Sequence, residues 1–402
     1  MTNENKMRIV LKGYSNDTKR LVDLLSHENT FASVVAITDR DSELIGECVT
    51  YRDTQIPIIH VFEACELVKN GKADGVVIPS GMISPLSVRA RANELVSGGF
   101  DYEDIYVAPV ELVMGNTIEN ISFIKYTEYS YLDHLEFHIT NKCNLNCRGC
   151  DHYVPIIPEE NEVNYYQLKE DINQLKQKVD HIRDILILGG EPLLSNHLLD
   201  CVYFVREAYP FARILIVTNG ILVPKLSNDL INAIKECGVQ LMITQYYSIS
   251  SIYKEVFRFC KSAGLKVVTD SHITRYFKKS LLSTEKVREY EGTILPNYGG
   301  CGCVTLEKGK LYACSTLAFT HYYNERFDTN YPVNESDGID IYDESISGFE
   351  MYRFIKKPKP MCAYCYSGRT SIVDVPDYFK AGEVIECKHT DNPRSDDWII
   401  NE

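Results

Sequence analysis

Short apolar runs alternate with amphipathic stretches from residue 7 to residue 113. The runs at 7–11, 33–38, 57–61, 74–78 and 105–108 have the length of buried strands, while apolar positions recur at helical spacing over 17–27, 62–69 and 84–97. Strands that alternate with helices predict an α/β domain: a parallel, doubly wound, Rossmann-like sheet with right-handed crossovers, set at residues 1–114. A polar, tyrosine-rich stretch at 115–131 reads as a linker. A second series follows, with strands at 135–139, 185–188, 214–217, 239–243 and 265–268 and helices at 165–179, 199–207, 227–237 and 252–263. Five βα units in a row predict an open, partial barrel over 132–295, whose chemistry belongs where strands end in loops. In the remaining segment, 296–402, a turn at 307–309 and a strand ending at Cys314 predict a hairpin.

The first turn of the chain, Lys12-Gly13-Tyr14-Ser15-Asn16, lacks the GxGxxG dinucleotide fingerprint. Asp39 ends the second strand, where an acid can meet a ribose hydroxyl and where loop acids are also common. This order of elements loosely resembles the small front domains of some sugar-nucleotide-modifying enzymes, which implies either a nucleotide-sugar site or a scaffold.

The sharpest chemistry lies in ITNKCNLNCRGCDHYVP, where Cys143, Cys147 and Cys150 form a CxxxCxxC triplet. A cysteine-held [4Fe–4S] cube takes four thiolates, and the next cysteine in the chain is Cys201. One iron would stay open for a small ligand. Zinc with His152 as a fourth ligand is the alternative. Gly189-Gly190-Glu191-Pro192 follows the apolar run HIRDILIL. Two glycines there allow close approach of backbone to a bound molecule, and Glu191 could accept a hydrogen bond from an ammonium group. Thr218-Asn219 and Thr244-Gln245 end the next two strands.

CNLNCRGC with GGEP closely resembles the radical S-adenosylmethionine superfamily. The resemblance implies a partial (β/α)6 barrel in which Cys143, Cys147 and Cys150 hold a [4Fe–4S] cluster and the open iron chelates S-adenosylmethionine. Gly189, Gly190 and Glu191 would meet the methionine ammonium, with Pro192, Thr218, Asn219 and Gln245 beside the cofactor. Where that family often has an aromatic residue before the third cysteine, this chain has Gly149. Either His152 or Tyr153 could then make the adenine-side contact.

A second cysteine set lies in GGCGCVTLEKGKLYAC and PMCAYCYSG. Zinc fits such thiolates too. The arrangement resembles the twitch or SPASM extensions of the same superfamily, which implies an auxiliary [4Fe–4S] cluster on Cys314, Cys362, Cys365 and one of Cys301 or Cys303. The spare member of that pair is either a hydrogen-atom donor or a mere neighbour. Cys48, Cys65, Cys201, Cys237 and Cys260 read as buried structural thiols.

Composition narrows the partners. Across 402 residues the net charge is −14, which disfavours a nucleic-acid backbone as partner. No apolar run reaches the length of a membrane span, and the N-terminus has no signal-type core, so a cytoplasmic chain is expected. Fourteen cysteines then mean metal, catalysis or burial rather than disulfides. By the resemblance, the expected function is hydrogen abstraction by a 5′-deoxyadenosyl radical from a sugar or nucleotide sugar, with flavodoxin or ferredoxin as electron donor. Oxidation, epimerisation and deoxygenation share that first step. His138, His152 and Tyr153 are the acid/base candidates at the barrel mouth. Maturation of a ribosomal peptide and a non-catalytic iron–sulfur carrier are the alternatives.

Overall fold

The computed structural model describes residues 6–27, 30–51, 54–79, 85–109, 112–113, 122–128, 130–269, 282–286, 303–365 and 392–400. Cys301 and Cys387 lie outside them. The chain divides into two compact units, Met1–Tyr129 and Ser130–Glu402.

In the first unit the strands are β1 (Met7–Lys12), β2 (Ala32–Thr38), β3 (Cys48–Tyr51), β4 (Thr54–Ile59), β5 (Gly75–Pro79), β6 (Ile105–Ala108) and β7 (Ile124–Lys125). Their order in the sheet is β3-β4-β2-β1-β5-β6-β7. The five central strands are parallel, and Ile9, Val10, Leu11, Val76, Val77 and Ile78 are fully buried, as strands covered on both faces must be. The chain reverses its winding between β1 and β5. Two short antiparallel edge strands, β3 and β7, escape the sequence pattern because each is half-exposed and brief. Cys48 sits on β3 and is exposed, which corrects its reading as a buried thiol; an edge strand has only one covered neighbour. Cys65, Cys201, Cys237 and Cys260 are buried as expected.

Asp39 turns inward on its own loops. Its carboxylate accepts from the amides of Tyr14 at 2.6 Å, Arg40 at 2.7 Å and Asp41 at 3.0 Å. Burial works against ionisation, but these amides and Lys12 hold the carboxyl below its ordinary range. The residue ties the first turn to the end of β2.

In the second unit, β8 (Tyr131–His138), β9 (His181–Leu188), β10 (Arg213–Thr218), β11 (Gln240–Ile243) and β12 (Val267–Thr269) run parallel. Helices Tyr165–Lys176, Leu198–Ala208, Asn228–Glu236 and Tyr253–Ala263 connect or follow them. Leu135, Phe137 and Ile139 join the helices in one hydrophobic core. Side chains alternate along a strand, so His134, Glu136 and His138 share the opposite face of β8.

The hairpin forms where its sequence requires. β14 (Thr305–Glu307) and β15 (Lys310–Tyr312) pair across Lys308 and Gly309, both at positive φ (46° and 74°), the two-residue turn that matches strand twist. The hairpin is not a separate layer, however. β14 pairs in parallel with β8, with the Glu136 amide donating to the Val304 carbonyl at 2.8 Å. The order β12-β11-β10-β9-β8-β14-β15-β16, with β16 at Ile339–Asp340, makes one eight-stranded sheet. A further pair, β13 (Leu282–Ser283) and β17 (Ile399–Ile400), ties down the C-terminal segment.

Candidate functional site

The cysteine triplet leaves β8 in a loop whose turns are set by backbone chemistry. Asn146 and Gly149 take positive φ values of 46° and 62°. At Gly149 this conformation favours glycine over an aromatic residue. Cys147 and Leu145 are buried together against Cys143, Ile221, Tyr246 and Ile249. The Leu145 amide points to the Cys143 sulfur at 3.4 Å. Burial pushes the Cys143 and Cys150 thiols above their usual range, so a bound cation is what would make them thiolates.

The GGEP segment is clamped to the root of this loop. The Gly190 amide donates to the Thr140 carbonyl at 2.9 Å and the Glu191 amide to the Lys142 carbonyl at 2.8 Å. A Cβ on Gly189 or Gly190 would overlap those same carbonyl oxygens. The two glycines therefore permit backbone-on-backbone contact with the cysteine loop itself. Thr140 in turn donates to Glu162 at 2.5 Å.

Glu191 has no exposed surface and accepts three hydrogen bonds: Thr218 Oγ1 at 2.7 Å, the Asn219 amide at 2.9 Å and the Leu193 amide at 3.2 Å. An ionised carboxylate offers about four acceptor sites, so one remains. Burial raises its pKa to about 7 despite these donors. Asn219 Nδ2 reaches Asn144 Oδ1 at 2.7 Å, so the loop after β10 is tied to the cysteine loop as well. After β11, the Thr244 amide donates to the Thr218 carbonyl at 3.0 Å, and Gln245 follows half-buried. Pro192 opens a short 3-10 turn and is buried.

His138 and His152 share a hydrogen bond of 2.9 Å. His138 Nδ1 faces Asn141 Oδ1 at 2.6 Å, an acceptor, so the neutral ring carries its proton there and accepts from His152 Nδ1–H. Phe319, on the helix Ser315–Phe327, stacks on His138 at 4.6 Å. Burial first, then His152, lowers the His138 pKa from 6.5 to about 3. The folded chain thus binds fewer protons than the unfolded one between those values. This contribution to stability is intact above about 6.5 and fades as pH falls toward 3, at up to about 1.4 kcal/mol per pH unit. In His138→Gln the melting midpoint should decline less steeply between pH 6.5 and 4 than in the parent; equal slopes would contradict the burial of a neutral ring.

Tyr153 is fully buried, stacked on Trp398 with ring centroids 5.9 Å apart and planes 6° off parallel. Its hydroxyl meets Thr320 Oγ1 at 3.3 Å and feels Cys365 and Cys314. Cys314 sits at the head of the helix Ser315–Phe327, Cys362 lies in the short helical turn Pro360–Tyr364, and Cys365 bridges to Leu282. Cys303 lies two residues before β14.

Sequence reading missed the C-terminal strap. Trp398 Nε1 donates to the Cys150 carbonyl at 2.9 Å, and Arg148 Nε donates to buried Asp397 at 2.6 Å. The one tryptophan of the chain, so near its end, was the available signal.

The donor set fits an iron–sulfur cluster: three thiols in one loop, sheltered by apolar side chains, beside a glycine-lined backbone edge. Residues 137–264 match the family model described as the Radical SAM superfamily. Among curated proteins, the GTP 3′,8-cyclase of Limosilactobacillus fermentum is 29% identical over 170 residues, 40% of this chain and 48% of that protein. The 7,8-dihydro-6-hydroxymethylpterin dimethyltransferase of Methanocaldococcus jannaschii is 26% identical over 144 residues, 32% of this chain and 28% of that protein. The chain spans about half the length or less of these relatives. A solved structure, BtrN in complex with AdoMet and 2-DOIA, aligns over 66% of this chain and 97% of that one at 15% identity, with a TM-score of 0.36, too low to carry chemistry across.

Proposed function

We propose, from the premise that residues 137–264 form a radical SAM domain, that this chain abstracts hydrogen from a small carbohydrate-type substrate. The observation that carries this reading is the joint between the cysteine loop and GGEP, where Gly190 and Glu191 bond directly to the backbone of Thr140 and Lys142. Cys143, Cys147 and Cys150 would hold a [4Fe–4S] cluster. Bound there with S-adenosylmethionine and an external electron donor, such a cluster would supply one-electron radical chemistry at the sulfonium. The chain's part is to hold, orient and shield. Glu191 fixes the loops after β9 and β10 against one another and keeps one acceptor site for an ammonium. Phe319, on its buried helix, stacks on His138 and keeps water from that ring. Cys314, Cys362, Cys365 and one of Cys301 or Cys303 would hold an auxiliary cluster.

The polar inner face of β8, with His134, Glu136 and His138, suits a hydroxyl-rich substrate better than an apolar one. A second reading, a purine nucleotide or pterin, is favoured by the names of the curated relatives. Anaerobically reconstituted chain given dithionite and S-adenosylmethionine is expected to release 5′-deoxyadenosine. Nucleotide sugars should stimulate that release, and GTP should not. Stimulation by GTP alone would move the reading to the second class, and no product from a chain with full iron content would leave only an electron carrier.

A further inference from the structure

On the inner face of β8, His134, Glu136 and Cys303 offer an imidazole nitrogen, a carboxylate oxygen and a sulfur that all lie within 4.8 Å of one another. Two neighbouring strands bring them together. His134 and Glu136 are two residues apart on β8 and so share a face. In the parallel register Thr305 stands beside Glu136, which sets Cys303, two residues earlier, beside His134. The backbone bond from Glu136 to Val304 locks that register.

The carboxylate is already oriented. Thr305 Oγ1 donates to Glu136 Oε1 at 2.8 Å, while Oε2 faces His134 Nε2 at 3.1 Å. The Glu136 side chain is 4% exposed and that of His134 17%. Buried charges are paired or hold metals, and a hydrogen-bonded hydroxyl behind a carboxylate is how proteins aim a ligand.

We propose that His134, Glu136 and Cys303 hold a mononuclear divalent ion of the zinc class, separate from both cysteine sets. Thiolate with imidazole and carboxylate is a borderline-soft donor set, suited to zinc and poor for magnesium or calcium. Three protein ligands leave one tetrahedral position for water or a substrate hydroxyl. The assignment leaves Cys301 as the first ligand of the auxiliary cluster. Extending the hairpin register sets Cys303 opposite Cys314, so membership of that cluster is the competing role for this thiol. The ion site does not rest on the radical reading, since zinc content is measured without turnover.

The test uses the full chain, purified and reconstituted without oxygen. Wild type is expected to carry about one zinc per chain, and Cys303→Ser to lose it with iron unchanged. With Co²⁺ in place of zinc, wild type should show a thiolate-to-cobalt charge-transfer band that Cys303→Ser lacks. Thr305→Val keeps the shape and removes the supporting hydroxyl; its Zn²⁺ affinity in chelator competition should fall about 10- to 100-fold. The proposal is overturned if wild type takes up neither Zn²⁺ nor Co²⁺, if Cys303→Ser keeps its zinc, or if that variant loses about four irons, which would make Cys303 a cluster ligand.

Discussion

Cys147→Ala, reconstituted without oxygen, is expected to lose about four irons and four sulfides per chain and to release no 5′-deoxyadenosine above background. Of the three cysteines in the loop, Cys147 is the least exposed and packs with Leu145. Its replacement by the smaller alanine leaves the loop's apolar contacts largely in place, so loss of iron would report ligation rather than unfolding. The parent and the variant should melt within a few degrees of each other once both are stripped of metal. Retention of full iron by Cys147→Ala, or an equal loss of zinc in place of iron, would end the radical reading at its root.

Trp398→Ala is expected to lower stability strongly. The indole is fully buried, stacks on Tyr153 and meets Tyr323 edge-on at 6.1 Å. Truncating such a side chain costs about 3–5 kcal/mol, which for a unit of this size lowers the melting midpoint by roughly 10 °C. The cysteine loop should loosen with it, because the indole N–H is a partner of the Cys150 carbonyl. Reconstituted Trp398→Ala should therefore bind less iron than the parent, and Trp398→Phe, which keeps the ring contact, should recover most of the stability while leaving that carbonyl short of a donor at about 1–3 kcal/mol. A midpoint within two degrees of the parent would show that the strap contributes little to the loop.

The two cases also mark how far the sequence could be read. The βα alternation was visible because burial on one or both faces writes itself into local periodicity, so the central strands of both units fall close to their expected places. The hairpin was visible because a two-residue turn with positive φ demands a residue such as Gly309. β3 and β7 were not, since short edge strands carry little apolar pattern. Asp39 was legible as an acid at a strand end, but whether it faced a ligand or its own backbone depended on where the turn after β1 would fold.

Covalent spacing alone set the cysteine triplet, the glycine pair and the order of strands that bring them to one end of a sheet, because those features depend on neighbours a few residues away. Only the tertiary structure decided that Glu191 is nearly saturated by Thr218, Asn219 and Leu193, that the hairpin extends the sheet through β8, and that Trp398 and Asp397 close on the cysteine loop. Apart from the Leu193 amide, those contacts join residues tens to hundreds of positions apart, and a chain's local preferences do not record which distant surfaces will complete one another when the core packs.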